Sequence, residues 1–508
     1  MTGIASKAAI MITILLSLAM PVQAQQRPDW LKQFSWSEVQ RLNDRIDYFS
    51  KRDKVSRAAL ATIAESVGLS GSVPTAARVI EAVDMLSREA AKLKQDLAAM
   101  ERQIRTLKDA RVREPALEAL GRANAAFERG DFDTADREFK QIEALRWAQV
   151  EGGTGTWSDA LEAQIKIARL RYRFDEATSL ARRKAAQANL QGRQLRQIEW
   201  EALISAGHSQ ERKAEVTGEI AALRSAEQIY AVDLAGFLRS DDDSAKRYVR
   251  MLLLGEVKGR IASKMASGAE SMAVFQESNN LLDQYIVYAR ASKCNDCLAA
   301  SLSALIHNVS ALMYRTRDTK HLKSVEKYLG DSRVFDSNVP YYYRYGMHYA
   351  MANLYSRVGE IRPRVEDFER AERHAKDSIA SLVGSEMAEL NEEAALGSKF
   401  LLADIYRIRG EVLKDTTYDL KARDALLALI PEYQRLNRPH RVADLQKRLG
   451  AVLHGMAAKS HDCAVIRRAG AAIREANRLM SPRDEPNEYA GVLLMLETNR
   501  GLELAYCR

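Results

Sequence analysis

The residues best suited to chemistry in this 508-residue chain are its four cysteines. Cys294 and Cys297 form a CxxC within Ser-Lys-Cys-Asn-Asp-Cys, at a turn leading into a helix over Leu298 to Leu305. A thiol near a helix N-terminus has a lowered pKa, which makes redox cycling one reading. A local disulfide, or two quiet thiols between helices, is the other. No thioredoxin-like sheet pattern surrounds the pair, and Leu298 stands where haem attachment needs a histidine. Cys463 and Cys507 are placed to pair. A helix from Cys463 to about Leu479, a turn from Ser481-Pro482 to Pro486 and a return helix from Glu488 to Tyr506 bring Cys507 back to the level of Cys463. Closing a loop of that length contributes roughly 3–4 kcal/mol and pins the terminal helix. The eight histidines are scattered, without HExxH, P-loop, GxSxG or a Gly-rich nucleotide turn. Only His461 beside Cys463 hints at a zinc site, which needs further ligands. We therefore expect no catalytic residue, no metal and no cofactor.

The elements that would position these residues follow an export signal. Residues 1–24 carry Lys7, an apolar run from Ala8 to Met20, the breaker Pro21 and small residues ending at Ala24, the layout of a signal peptide cleaved after Ala24. The run is short for a membrane span, and no later run approaches eighteen apolar residues. A periplasmic or secreted mature chain without a transmembrane segment is expected. An oxidising compartment also suits paired cysteines. The formal charge of +8 is a small excess over a long surface with 28% charged residues. Arg182, Arg183, Lys184, Arg193 and Arg196 form a basic patch, read as a solvated helix face, and nucleic acid is not an expected partner.

Residues 25–112 read as an N-terminal helical region. Ser37 with Gln40 matches a capping box, followed by a helix through Leu42, Ile46 and Phe49, and a second helix runs from Ser56 to Val67. Val79, Val83, Leu86, Ala90, Leu93, Leu97, Met100, Ile104 and Leu107 then alternate steps of four and three. That is a heptad stripe, coiled-coil-like over 79–107, and it needs a partner surface. It either joins two copies in a homodimer or packs on neighbouring helices of its own chain.

From residue 113 to 508 the pattern is helix after helix, an all-α chain. The most regular stretch is Ala119 to Ile142, where Ala123, Ala126, Gly130, Ala135, Phe139 and Ile142 place two apolar faces on either side of one turn. Gly130 suits a left-handed helix end, and Asp133 or Thr134 can cap the next helix. This stretch resembles a tetratricopeptide (TPR) repeat. Weaker copies fall at Ile165, Ala168, Tyr172, Ala177, Ala181 and Lys184; at Ala352, Tyr355, Gly359, Phe368 and Ala371; at Ala403, Tyr406, Gly410 and Ala422; and at Gly450, Leu453, Ala457, Ile466 and Ala469. Neighbouring copies lie 42 to 51 residues apart instead of the family's roughly 34, so the expected fold is an irregular TPR-like α-solenoid of antiparallel helix pairs. HEAT-like pairs stay open for 190–335. The resemblance implies a groove, lined by the first helix of each pair, that binds extended peptides or partner helices. Carried over copy by copy, its positions are Asn124 and Phe127, then Tyr349, Asn353 and Arg357, then Asp404 and Arg407. The Tyr-rich run Pro340-Tyr341-Tyr342-Tyr343-Arg344-Tyr345 with His348 and Tyr349 either fills space between helices or lines that groove. The expected function is a non-catalytic scaffold or adaptor for protein partners. The alternatives are a redox protein using Cys294 and Cys297, or a cell-wall-binding accessory protein.

Overall fold

The computed structural model describes residues 28–70, 76–145, 153–190, 196–217, 219–238, 244–336, 338–382, 388–436, 438–480 and 486–507. The expected leader lies outside the described residues, as does Arg193. Among the described residues all regular structure is helical.

Three helices open the chain: α1 (Trp36–Asp53), α2 (Arg57–Leu69) and α3 (Ala76–Arg105). The capping box at the start of α1 is Ser35 with Glu38, two residues earlier than Ser37 with Gln40. The Glu38 carboxylate accepts from the Ser35 backbone N–H at 2.7 Å, a charge-assisted bond that Gln40 would not offer. Ser56 caps α2 as the sequence suggests.

The nine stripe residues of 79–107 are all 4% exposed or less. Their partners are helices of the same chain: α1, α2, α4 (Ala110–Glu128) and α6 (Gly153–Leu170) all pack on α3. Of the two readings left open for 79–107, a homodimer or packing within the chain, the described residues favour the second, because the stripe is already covered by helices of its own chain. Burying a Val, Leu, Ile or Met side chain contributes about 1.5–3 kcal/mol, so uncovering the stripe would be prohibitive. The same four-three period serves a coiled coil and a helix packed on several shorter ones. A helix of 30 residues has the length for the second arrangement.

Beyond α3 the helices form antiparallel neighbours in chain order. With α4 pairs α5 (Phe132–Glu143), and with α6 pairs α7 (Phe174–Leu190). Next come α8 (Arg196–Thr217) and α9, which joins Ile220–Gln228 to Leu234–Leu238 through the π-helical turn Ile229–Asp233. They are followed by α10 (Ser244–Lys264) with α11 (Ala269–Ala291), then α12 (Asn295–Thr316). Short turns at Thr319–Leu322, Lys323–Glu326 and Ser332–Phe335 stand in for the second helix after α12. The array continues with α13 (Tyr341–Ile361) and α14 (Val365–Ala380), α15 (Ala388–Leu413) and α16 (Thr416–Arg435), α17 (Pro439–Ser460) and α18 (Cys463–Leu479), and ends on α19 (Pro486–Tyr506).

All five sequence copies fall on such pairs. Gly130 (φ 74°) and Tyr172 (φ 61°) both hold the left-handed turn, which supports their equivalence. Asp131 rather than Asp133 or Thr134 caps α5, its carboxylate accepting from the Thr134 N–H at 3.0 Å. Gly359 and Gly410 play a different part. They lie inside α13 and α15, where a Cβ would come 2.9 Å from the Phe368 ring and from the Asp419 nitrogen, so they permit close helix approach instead of turning the chain. The apolar core divides into clusters that succeed one another along the chain, from Leu31–Phe174 to Ala443–Val492, as expected when each unit buries surface against its neighbours. The result is an all-α, repeat-type, solenoid-like architecture.

The array also bends back on itself. Arg45 of α1 donates to the Leu436 carbonyl after α16, and Arg438 pairs with Asp84 of α3 at 2.8 Å. Asp84 also takes Arg52 at 2.7 Å. Burial alone would raise the Asp84 pKa, but Arg438 and Arg52 outweigh it and hold the carboxyl below its usual range.

Candidate functional site

The first helices α12, α13, α15 and α17 are successive neighbours. Arg357 of α13 lies 4.7 Å over the exposed Tyr314 ring of α12 and pairs with Glu360 at 2.6 Å, while Arg317, just after α12, reaches the same Glu360. Tyr345 Oη donates across to the Ala394 carbonyl of α15 at 3.4 Å, and its ring lies 6.0 Å from Tyr349. Asp404 of α15 pairs with Arg407 at 2.7 Å and with Arg448 of α17, whose guanidinium sits 4.7 Å over Phe400. Burial would push the Asp404 carboxyl up, but the two arginines outweigh it and hold the pKa low.

The groove candidates thus divide. Tyr349, Asn353 and Arg357 are half-buried on α13, and Asn353 Nδ2 donates to the Tyr349 carbonyl at 3.3 Å. Asp404 and Arg407 are held in the network that joins α15 to α17. Asn124 is exposed on α4. Phe127 is corrected: it is fully buried and stacks on Phe132 at 5.8 Å, so it belongs to the core of its own pair and offers no surface. In the Tyr-rich run, Tyr345 and Tyr349 pack towards α15 while Tyr342 is exposed.

The cysteines are joined as Cys294–Cys297 and Cys463–Cys507. The second bridge ties α19 to the start of α18, the pairing expected from helix lengths. In the first, Cys294 is the N-cap of α12, its Sγ accepting from the Cys297 N–H at 3.3 Å, and both residues are partly exposed. The basic patch is neutralised by its neighbours: Arg182 pairs with Asp233, Arg183 with Glu143, Lys184 with Glu162 and Arg196 with Glu199. A cavity of about 620 Å³ lies between α1, α2 and the turns at Gly130 and Tyr172, lined by Trp30, Leu42, Ala61, Glu65 and Phe132. Burial raises the Glu65 pKa.

Two clusters were not anticipated from the sequence. In the first, His348 and His374 face each other with Asp377 beside them, and the ligand-type atoms all lie within 4.8 Å of one another. Burial, with His348 adding to it, pushes His374 down to about 4, so that imidazole is neutral at physiological pH. In the second, the π-turn of α9 buries Tyr230, which donates to Glu211 at 2.5 Å over Gly207 of α8. Arg260 pairs with the same Glu211, and burial, reinforced by Glu211, pushes the neighbouring Glu256 carboxyl up to about 7. Gly207 in mid-helix is the one hint in the sequence that a ring crosses there.

No family model matches this chain, and no curated protein matches it. Among solved structures the chain is similar to a circular tandem repeat protein with novel repeat topology and enhanced subunit contact surfaces. The likeness is 13% identical, covers 83% of this chain and 99% of that one, and has a TM-score of 0.26, too loose to carry an argument.

Proposed function

We propose that this chain is an exported scaffold of TPR-like helix pairs that binds protein partners without catalysis, through the side built by its first helices. The observation that supports this reading best is the continuity of α12, α13, α15 and α17, whose contacts are made by Tyr314, Arg357, Tyr345, Asp404 and Arg448. Aromatic rings and guanidinium groups dominate binding energy at protein interfaces, and ion pairs that fix them beforehand lower the entropy lost on association. Arg357 and Asn353 are suited to hold a partner's carboxylate or backbone. The leader-like residues 1–24 support export.

A pull-down from envelope extract tests the reading. The wild type is expected to retain discrete partners that the Asn353→Ala/Arg357→Ala double variant loses, while Lys376→Ala on α14 keeps them. Identical partner sets for all three proteins would count against it.

The place of Cys294 and Cys297 at a helix N-terminus favours a second reading, thiol–disulfide exchange with a partner's cysteines. Thiol labelling before and after mild reduction distinguishes it: a pair that cannot be reduced and reoxidised has no such role. The reading as a cell-wall accessory protein would need basic helices to meet an anionic polymer, and it gains no support from Arg182, Arg183, Lys184 and Arg196, which are paired with carboxylates.

A further inference from the structure

One helix pair brings three ligand-type side chains to a point. His348 on α13 and His374 on α14 approach with their Nδ1 atoms 3.0 Å apart, and an Asp377 carboxylate oxygen lies within 4.8 Å of one ring nitrogen of each histidine. His374 and Asp377 are three residues apart, so they share a face of α14. We propose that His348, His374 and Asp377 form a binding site for a divalent cation of the zinc class, with a fourth position left for water or a partner's donor atom.

The distances fit. Two imidazole nitrogens bound to tetrahedral zinc at about 2.0–2.1 Å stand roughly 3.4 Å from each other, so a small spreading of the pair admits the ion. A side-chain rotation of Asp377 brings its oxygen into range. The donor set also selects the cation: two imidazoles and one carboxylate suit zinc and its neighbours, whereas magnesium and calcium take all-oxygen shells. Three protein ligands rather than four leave the site open.

Both rings are held in place from outside. Phe335, from the short turn after α12, stacks on His348 at 4.3 Å and 26°. Tyr355 stacks on His374 at 5.8 Å and 6°. Neither imidazole can turn away without losing that contact, which is the fixing of ligand orientation that a metal site needs. Against the ion stand Arg344, near His348, and Arg373, near His374, whose charges oppose a bare dication. They set the expected affinity in the micromolar range, below that of a closed structural zinc site. The competing arrangement is a plain hydrogen bond between two neutral imidazoles, which uses the same 3.0 Å and takes up no metal. The three ligands are distinct from Asn353 and Arg357, so this site and the proposed partner-binding face stand or fall separately.

The test is equilibrium dialysis of the full, tag-free mature chain against Zn²⁺ and Co²⁺, with elemental analysis. The wild type should take up one equivalent with micromolar affinity, and the Co²⁺ form should show the intense visible band of a four-coordinate ion. Asp377→Asn should weaken binding at least about tenfold. The His348→Gln/His374→Gln double variant should abolish it, while His454→Gln on α17 should leave it unchanged. X-ray absorption of the zinc-loaded wild type needs no variant and should show two imidazoles. No saturable uptake by the wild type, uptake that survives the double variant, or a first shell without imidazole would each overturn the site.

Discussion

Glu256 is a side chain whose ionisation the fold changes strongly. Burial, and then the Glu211 carboxylate, raises its pKa to about 7, with Arg260 acting in the opposite direction. For an acid, a folded pKa above the unfolded value near 4.5 means that the native state holds the proton more tightly. The stability this group contributes is fully present below about 4.5 and is lost as pH rises through about 7. Glu256→Gln should therefore flatten the stability-pH curve between these values and gain roughly 1–3 kcal/mol at pH 8, read by chemical denaturation. An unchanged slope would mean that Glu256 is already solvated. The meeting of His348, His374 and Asp377 was illegible in the sequence for one reason. Residues 348 and 374 meet only once the lengths of α13, its turn and α14 are known, and an array with irregular loops does not fix those lengths in advance.

At the scale of the helix, the sequence was most legible where the repeat step holds. The α4–α5 turn, the α18–α19 return and the Cys463–Cys507 bridge follow directly from apolar spacing and helix length. It was ambiguous where one pattern serves two packings, as in the 79–107 stripe, and misleading where glycine has two uses. Gly359 and Gly410 match the spacing of Gly130, yet they serve close approach inside helices. Phe127 shows the limit of copying positions from a family pattern, since its ring turned inward towards Phe132. Gly130 itself is constrained twice, by its left-handed φ and by α2, because a Cβ would sit 2.7 Å from the Ala58 carbonyl oxygen. Tyr172 shows that a side chain can bear the conformation alone. Gly130→Ala should therefore cost more than the about 1–2 kcal/mol of left-handed strain, and thermal unfolding reads the loss. A cost within that range would mean that α2 does not abut the turn.

On the scale of the whole molecule, two connections distinguish this chain from an open solenoid. Arg45 and Arg438 join the first and third helices to the turn between α16 and α17, across 391 and 354 residues of sequence. No local pattern encodes such a contact, which depends on the accumulated curvature of every pair between. Arg438 and Asp84 are buried, and removing one partner of a buried pair costs about 3–5 kcal/mol. Arg45→Ala/Arg438→Ala should open the array and raise the radius of gyration in small-angle scattering while helix content stays constant. Identical scattering curves would mean that the closure does not depend on these residues.

Direct contacts between successive first helices set α12, α13, α15 and α17 side by side, and the proposed function depends on that side meeting other proteins. Photo-crosslinking in the cell envelope tests this most directly, with a photoreactive side chain placed at exposed Tyr314 on α12 or at Lys376 on α14. Discrete crosslinked partners are expected from position 314 and none from 376. Crosslinks from 376 with none from 314 would contradict the proposed function.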